Sequence, residues 1–134
     1  MATTGRCHCG AVSWSAEGPC EHHALCHCSD CRRWSGAPMV GWIAFKADQV
    51  TVTGTPAVYR SSEHGAREFC GACGTGLFYR NEAFLPGLID IHSGTLDDPE
   101  SEPPGAQIMV KDRLSWTPTM TNLPEFSTYP GLGE

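Results

Sequence analysis

Apolar residues along this chain come in short runs, and none recurs with the three-to-four-residue spacing of an amphipathic helix. Alternation of apolar and polar positions is visible from Ala11 to Ser15, from Val50 to Val52 and from Leu88 to Ile91, the period of a strand with one buried face. Met39 to Phe45 and Leu77 to Tyr79 are apolar enough for buried strands. Such runs recur at roughly 8–12-residue spacing between turn-forming residues, which predicts a mainly β chain built as an antiparallel sandwich or partly open barrel. One helix is expected, a short one that Ser29 would cap and that would end before Gly36. Asp97 to Gly105, DDPESEPPG, predicts an exposed acidic loop, and the stretch from Thr117 a surface wrapping without regular structure.

The 134 residues suit a single domain over 1–134. Nine Lys and Arg against 15 Asp and Glu give a net charge of −6, which argues against nucleic acid or an anionic membrane as partner. With 40% hydrophobic and 18% charged residues the chain has the composition of a folded protein. Its longest nearly apolar run, Ala37 to Phe45, is interrupted by Pro38 and Gly41 and is far shorter than the ~20 residues of a membrane span. The opening MATTGRCHCGAV lacks the charged and apolar regions of a secretory signal, so a cytoplasmic location is expected, where disulfides do not persist.

That expectation sharpens the meaning of the eight cysteines, seven of which are clustered: Cys7 with Cys9, then Cys26, Cys28 and Cys31, then Cys70 with Cys73. Thiols one or two residues apart are poorly placed to bridge each other and well placed to grip one ion. The pairs, CHCG and CGACG, are alike, each followed by a glycine (Gly10, Gly74) that permits a left-handed turn of the backbone amides toward sulfur. The triplet, CHCSDCRRWSG, runs instead into the expected helix. Cys7, Cys9, Cys70 and Cys73 are therefore assigned to a closed, structural zinc site, and Cys26, Cys28 and Cys31 to an open one with reactive character. The competing arrangement completes the triplet with His8, His27, His64, His92 or Asp30 and makes both sites structural. His27 is the least suited of these, because in an extended CHC segment its side chain points away from the flanking sulfurs; a hydrogen-bonded structural role fits it better, and the same reading applies to His8. Cys20, apart from the clusters, is expected to be a small buried residue.

The segments GRCHCGAVSW, CHCSDCRRWSG, FCGACGTGLF, SGTLDDP and KDRLSW, in this order, resemble the glutathione-dependent formaldehyde-activating enzyme family, which also includes centromere protein V. The similarity runs from Gly5 to about Tyr129. It implies an Mss4-like fold of coiled antiparallel sheets stapled by zinc, with the structural ion on Cys7, Cys9, Cys70 and Cys73 and the catalytic ion on Cys26, Cys28 and Cys31. It also implies a carbon–sulfur lyase, an S-(hydroxymethyl)glutathione synthase that joins glutathione to formaldehyde. Many members carry a histidine before an apolar pair near the carboxyl end; this chain has Gln107 before Ile108 and Met109.

Three thiolates leave zinc with a net charge near −1, a weak activator of water, whereas an incoming thiol would complete four sulfurs and stay electron-rich enough to attack a carbonyl. The expected partners are a small thiol such as glutathione and a small aldehyde, with two zinc ions per chain. Arg32 and Arg33 are candidates for a substrate carboxylate, although surface arginines are more often merely solvated. Trp34 is a candidate pocket wall, and Trp42 and Phe45 are expected in the core. Asp30 suits either a hydrogen bond near the metal or the start of the helix. The rival function is a zinc-stapled interaction module without catalysis; methionine sulfoxide reduction ranks last, since only Cys20 is left as a free thiol for it.

Overall fold

A computed structural model describes residues 2–131. In chain order its regular elements are β1 (Ala2–Arg6), β2 (Ser13–Glu17), β3 (His22–Cys26), α1 (Ser29–Ser35), β4 (Val40–Lys46), β5 (Val50–Thr53), β6 (Ala57–Tyr59), β7 (Gly65–Phe69), β8 (Gly76–Asn81), β9 (Leu88–His92) and β10 (Ala106–Ile108), with single turns of 3₁₀ helix between them. They form a three-stranded sheet, β1-β2-β5, and a seven-stranded sheet, β10-β3-β4-β9-β8-β7-β6. The mainly β expectation with one short helix is met.

Three details differ from the sequence reading. The helix is capped by Cys28 rather than Ser29: its sulfur accepts the Cys31 amide at 3.2 Å, so a thiol takes the position usually held by a hydroxyl or carboxylate. At the other end Gly36 adopts φ 70° and donates its amide to Arg32 O, the left-handed closure that glycine tolerates best. The large sheet is not wholly antiparallel, since β10 lies parallel to β3 with Gln107 opposite Leu25. From Thr117 the chain first forms a 3₁₀ stretch, Thr117–Asn122, and only residues 123–131 are the exposed irregular segment expected. The acidic segment from Asp97 is an exposed loop, as expected, holding one 3₁₀ turn at Pro99–Ser101.

Strand β4 organises the interior because successive side chains point to opposite sides of the sheet. Ile43 and Phe45 enter one core with Val12, Trp14, Phe78, Ile89 and Ile91, closed by the small sheet. Burying each of these large apolar side chains contributes on the order of 1.5–3 kcal/mol. Gly5 on β1 lies under Trp14, where a Cβ would come within 2.5 Å of the indole. On the other face Val40 and Trp42 pack with Cys26 and Cys31, with Cys28 and Tyr79 against them. Cys7 and Cys70 belong to the first core, so the fold places one sulfur cluster on each side of the large sheet. Among the described residues no helix is long and apolar enough to cross a membrane.

Candidate metal centre

The four-sulfur group is assembled by two similar turns. After Cys7 the chain returns through Gly10 (φ 83°), whose amide donates to Cys7 O, while Val12 N donates to Cys7 Sγ at 3.3 Å. After Cys70 it returns through Gly74 (φ 84°), which donates to Cys70 O, while Cys73 N donates to Cys70 Sγ at 3.4 Å. The sulfurs of Cys7 and Cys9, and of Cys9 and Cys70, lie 3.8 Å apart. Four thiolates about 2.3 Å from a tetrahedral zinc would be separated by about 3.8 Å, so this donor set fits the ion. The Thr75 hydroxyl and amide hold the Cys73 thiol down to about 5. The Ala11 amide pulls Cys9 down, but desolvation and the sulfurs of Cys73, Cys7 and Cys70 prevail and push it up to about 11. Against its burial, Cys7 is lowered as well, by the Val12 amide and the sulfurs of Cys70 and Cys9, so the group favours thiolate at two of its sulfurs.

The triplet spans the junction of β3 and α1: Cys26 ends the strand, Cys28 caps the helix and Cys31 lies in its first turn. Their three sulfurs fall within 4.8 Å of one another, and among the described residues no fourth Cys, His, Asp or Glu donor joins them. The Trp42 indole donates to Cys31 Sγ at 3.4 Å. Hydrogen bonds from Cys26 first, then from Cys28 and Trp42, together with the positive charge of Arg67, lower the Cys31 thiol to about 5 against its burial. The same sharing with Cys31 raises Cys26. Charge is therefore concentrated on Cys31, and of the three cysteines only Cys28 is half-buried rather than buried.

Of the residues weighed as a fourth donor, His27 is fully buried and turns its Nε2 to Gln107 Oε1 at 2.9 Å, the structural role expected of it. His8 is exposed, held through its backbone amide by the Thr75 hydroxyl. Cys20 is half-buried against the larger core. Arg32 does not face a pocket: its Nη1 donates to His27 O at 2.8 Å and to Asp112 O at 2.7 Å, tying the helix to the chain beyond β10. Trp34 does wall a cleft of ≈ 590 Å³, with Val40, Phe69, Gly76 and His92. That cleft borders the triplet through Val40, which packs on it, and through Ser35, whose hydroxyl donates to Cys31 O. Trp42 and Phe45 are core residues, as expected.

On the triplet's side of the large sheet the structure buries two ionisable residues that sequence reasoning missed, Arg67 and Asp90, and sets beside them His92, half-buried and outside the sulfur group it was weighed for. Register places Arg67 opposite Tyr79, Tyr79 opposite Asp90, and Trp42 opposite His92. Burial raises the Asp90 carboxyl to about 6 although His22 lies 3.9 Å away. Burial, with Arg67 nearby, lowers His92 to about 4. The available signal was a polar residue at alternate positions of otherwise buried strands, in GAREF and LIDIH.

With this geometry in view, the chain can be set beside known proteins. A sequence model of the family described as glutathione-dependent formaldehyde-activating enzyme matches residues 2–112. An uncharacterised lyase of Schizosaccharomyces pombe is 31% identical over 75 residues, which are 56% of this chain and 55% of that protein. The alignment thus spans about half the length of that relative. A Halomonas elongata protein, provisionally named a glutathione-dependent formaldehyde-activating enzyme, is 27% identical over 129 residues, covering 87% of this chain and 80% of its own. A crystal structure of a Rhodobacter sphaeroides protein shares the fold, with a TM-score of 0.61 at 22% identity over 78% of this chain and 98% of that one.

Proposed function

The chain belongs to the glutathione-dependent formaldehyde-activating enzyme family, and from that premise we propose that it makes or breaks the carbon–sulfur bond between glutathione, or a similar thiol, and formaldehyde or another small aldehyde. The observation that carries the proposal is the triplet itself: three convergent sulfurs without a fourth protein donor among the described residues, bordering a cleft of ≈ 590 Å³. Cys26, Cys28 and Cys31 would hold a zinc ion whose field would favour the thiolate form of an incoming thiol without making a strong water activator. Cys7, Cys9, Cys70 and Cys73 would hold a second zinc as a structural staple.

The chain's own groups set the conditions. Trp42 donates to Cys31 and the Cys31 amide to Cys28, which fixes two of the three sulfurs before any substrate arrives. Trp34, Phe69 and Val40 line the cleft with apolar surface that excludes water from the reacting atoms. In the forward direction a sulfur–carbon bond forms, the carbonyl π bond breaks, and the proton that leaves sulfur ends on the new hydroxyl. The reverse reaction releases thiol and aldehyde. Eight unpaired thiols suit a reducing compartment, and the proposal places a single-domain protein in the cytoplasm.

Exchange NMR of glutathione, formaldehyde and S-(hydroxymethyl)glutathione tests this. Protein carrying two zinc ions per chain is expected to accelerate exchange, and Cys28→Ser to retain one zinc and lose the acceleration. Zinc-replete protein that leaves the exchange rate at its uncatalysed value overturns the proposal in favour of a non-catalytic module.

A further inference from the structure

Arg67 has no partner of the usual kind. The residue is 6% exposed, its Nη1 is sealed from solvent without a hydrogen bond, and none of the ion pairs among the described residues includes it. Two aromatic rings hold the guanidinium instead, with Cζ 4.8 Å from the Tyr79 centroid and 5.9 Å from that of Trp34. Ring faces attract the cation but accept none of its in-plane N–H donors. A buried guanidinium left in this state is costly unless an anion completes it.

Next to it is a cavity of ≈ 310 Å³ lined by Asp30, Arg33, Trp34, Tyr59, Ser61 and Arg67, two guanidinium groups against one carboxylate. We propose that this cavity is a carboxylate subsite for the thiol substrate, with Arg67 as its anchor. The inference rests on the lyase reading above, because it concerns the acidic arm of the thiol that the triplet would receive. The reach is suitable. Cys31 lies between Asp30 and Arg33 on α1, two residues that line the cavity, so the cavity adjoins the turn of helix that carries the triplet's third sulfur. An extended peptide spans ~3.3–3.6 Å per residue, so a thiol of two or three residues covers up to about 11 Å from that turn into the cavity. Trp34, which stacks on Tyr59 at 5.7 Å, lines both this cavity and the larger cleft that borders the triplet. The chemistry selects a small thiol bearing a carboxylate over a neutral thiol of equal size.

Calorimetric titration of the full-length, zinc-loaded protein with glutathione and with its diethyl ester tests the subsite. Wild type should bind the acid about tenfold more tightly than the ester. Arg67→Met, which keeps the stem and removes the charge, should weaken binding of the acid about tenfold more than binding of the ester and so erase that preference, and Arg67→Lys should restore part of it. Equal affinity of wild type for acid and ester overturns the inference without needing any variant to fold, and leaves the lyase reading standing. Equal weakening of both ligands by Arg67→Met also overturns it and makes Arg67 a counter-charge for the triplet. Binding of neither thiol by zinc-loaded wild type brings down the lyase reading, and the subsite with it.

Discussion

Asp90 and His92 stand two residues apart on the same side of β9, and burial moves them in opposite directions, Asp90 up to about 6 and His92 down to about 4. An unfolded histidine takes up a proton near its ordinary 6.5, which the folded His92 resists until about 4, so this residue costs stability as pH falls through that window. The folded Asp90 holds its proton up to about 6, whereas the unfolded carboxyl loses it near 3.8; its favourable contribution is present below 3.8 and is lost as pH rises through about 6. Each effect is on the order of 3 kcal/mol, and they oppose each other over nearly the same range. Urea unfolding at pH 7 and pH 4.5 should separate them: relative to wild type, His92→Gln gains stability on acidification and Asp90→Asn loses it. Parallel behaviour of all three proteins would contradict the assignment. The seven clustered cysteines were legible in the sequence because a ligand pair is a local device whose spacing is set by one turn. Arg67 was not, because its burial depends on Trp34 and Tyr79, which the fold brings to it from α1 and β8. Arg32 was misjudged for a related reason, since a helical side chain leans back toward the amino end of its helix, here onto His27 O, and adjacency to Cys31 did not reveal that direction.

At the level of elements, β10 shows what alternation fails to report. Its residues, Ala106–Ile108, are exposed, and it is held by pairing rather than by burial: the backbone ladder to β3, His27 N donating to Ile108 O at 3.1 Å, and the Gln107 side chain on His27 Nε2. Strands β1 and β7 escaped notice for similar reasons, being short and carrying Thr, Gly, Arg or Glu among few apolar residues, and β6, Ala-Val-Tyr, is too short to show a period. By contrast β4 and β8 were evident as apolar runs because both of their faces are largely covered, and β9 was evident from its alternation. Gln107→Ala would strand a fully buried imidazole nitrogen and should cost about 1–3 kcal/mol, with faster hydrogen exchange at the His27 amide as the local signature. Unchanged exchange there would show that β10 does not depend on this side chain. Gly76 at the start of β8 bears on the cleft itself, since a Cβ there would meet His92 Cε1 at 2.7 Å and Trp34 Nε1 at 3.0 Å. Gly76→Ala is expected to cost roughly 1–3 kcal/mol through crowding. It should also displace Trp34, seen as a shift in tryptophan emission together with slower thiol–aldehyde exchange.

Across the whole molecule, the large sheet keeps the two sulfur clusters in separate surroundings, one within the main core and the other beneath α1 and open to a cleft. Cys70→Ser should therefore lower the melting temperature steeply, as a structural zinc site contributes on the order of 10 kcal/mol of binding-linked folding free energy. Cys28→Ser should release one metal per chain and leave the melting temperature within a few degrees of wild type. Equal melting losses in the two variants would show that both clusters support the fold. The four-sulfur group joins positions 61 residues apart, Cys9 and Cys70. During synthesis at ~5–20 residues per second, a ribosome exposes the first thiol pair for roughly 3–12 s before the second has been made. Throughout that interval each nascent polypeptide carries half a chelate. A zinc ion captured then can be completed by a neighbouring polypeptide on the same messenger or by the chain's own triplet, so expression in zinc-rich medium should yield a fraction of intermolecularly bridged, chelator-soluble aggregates.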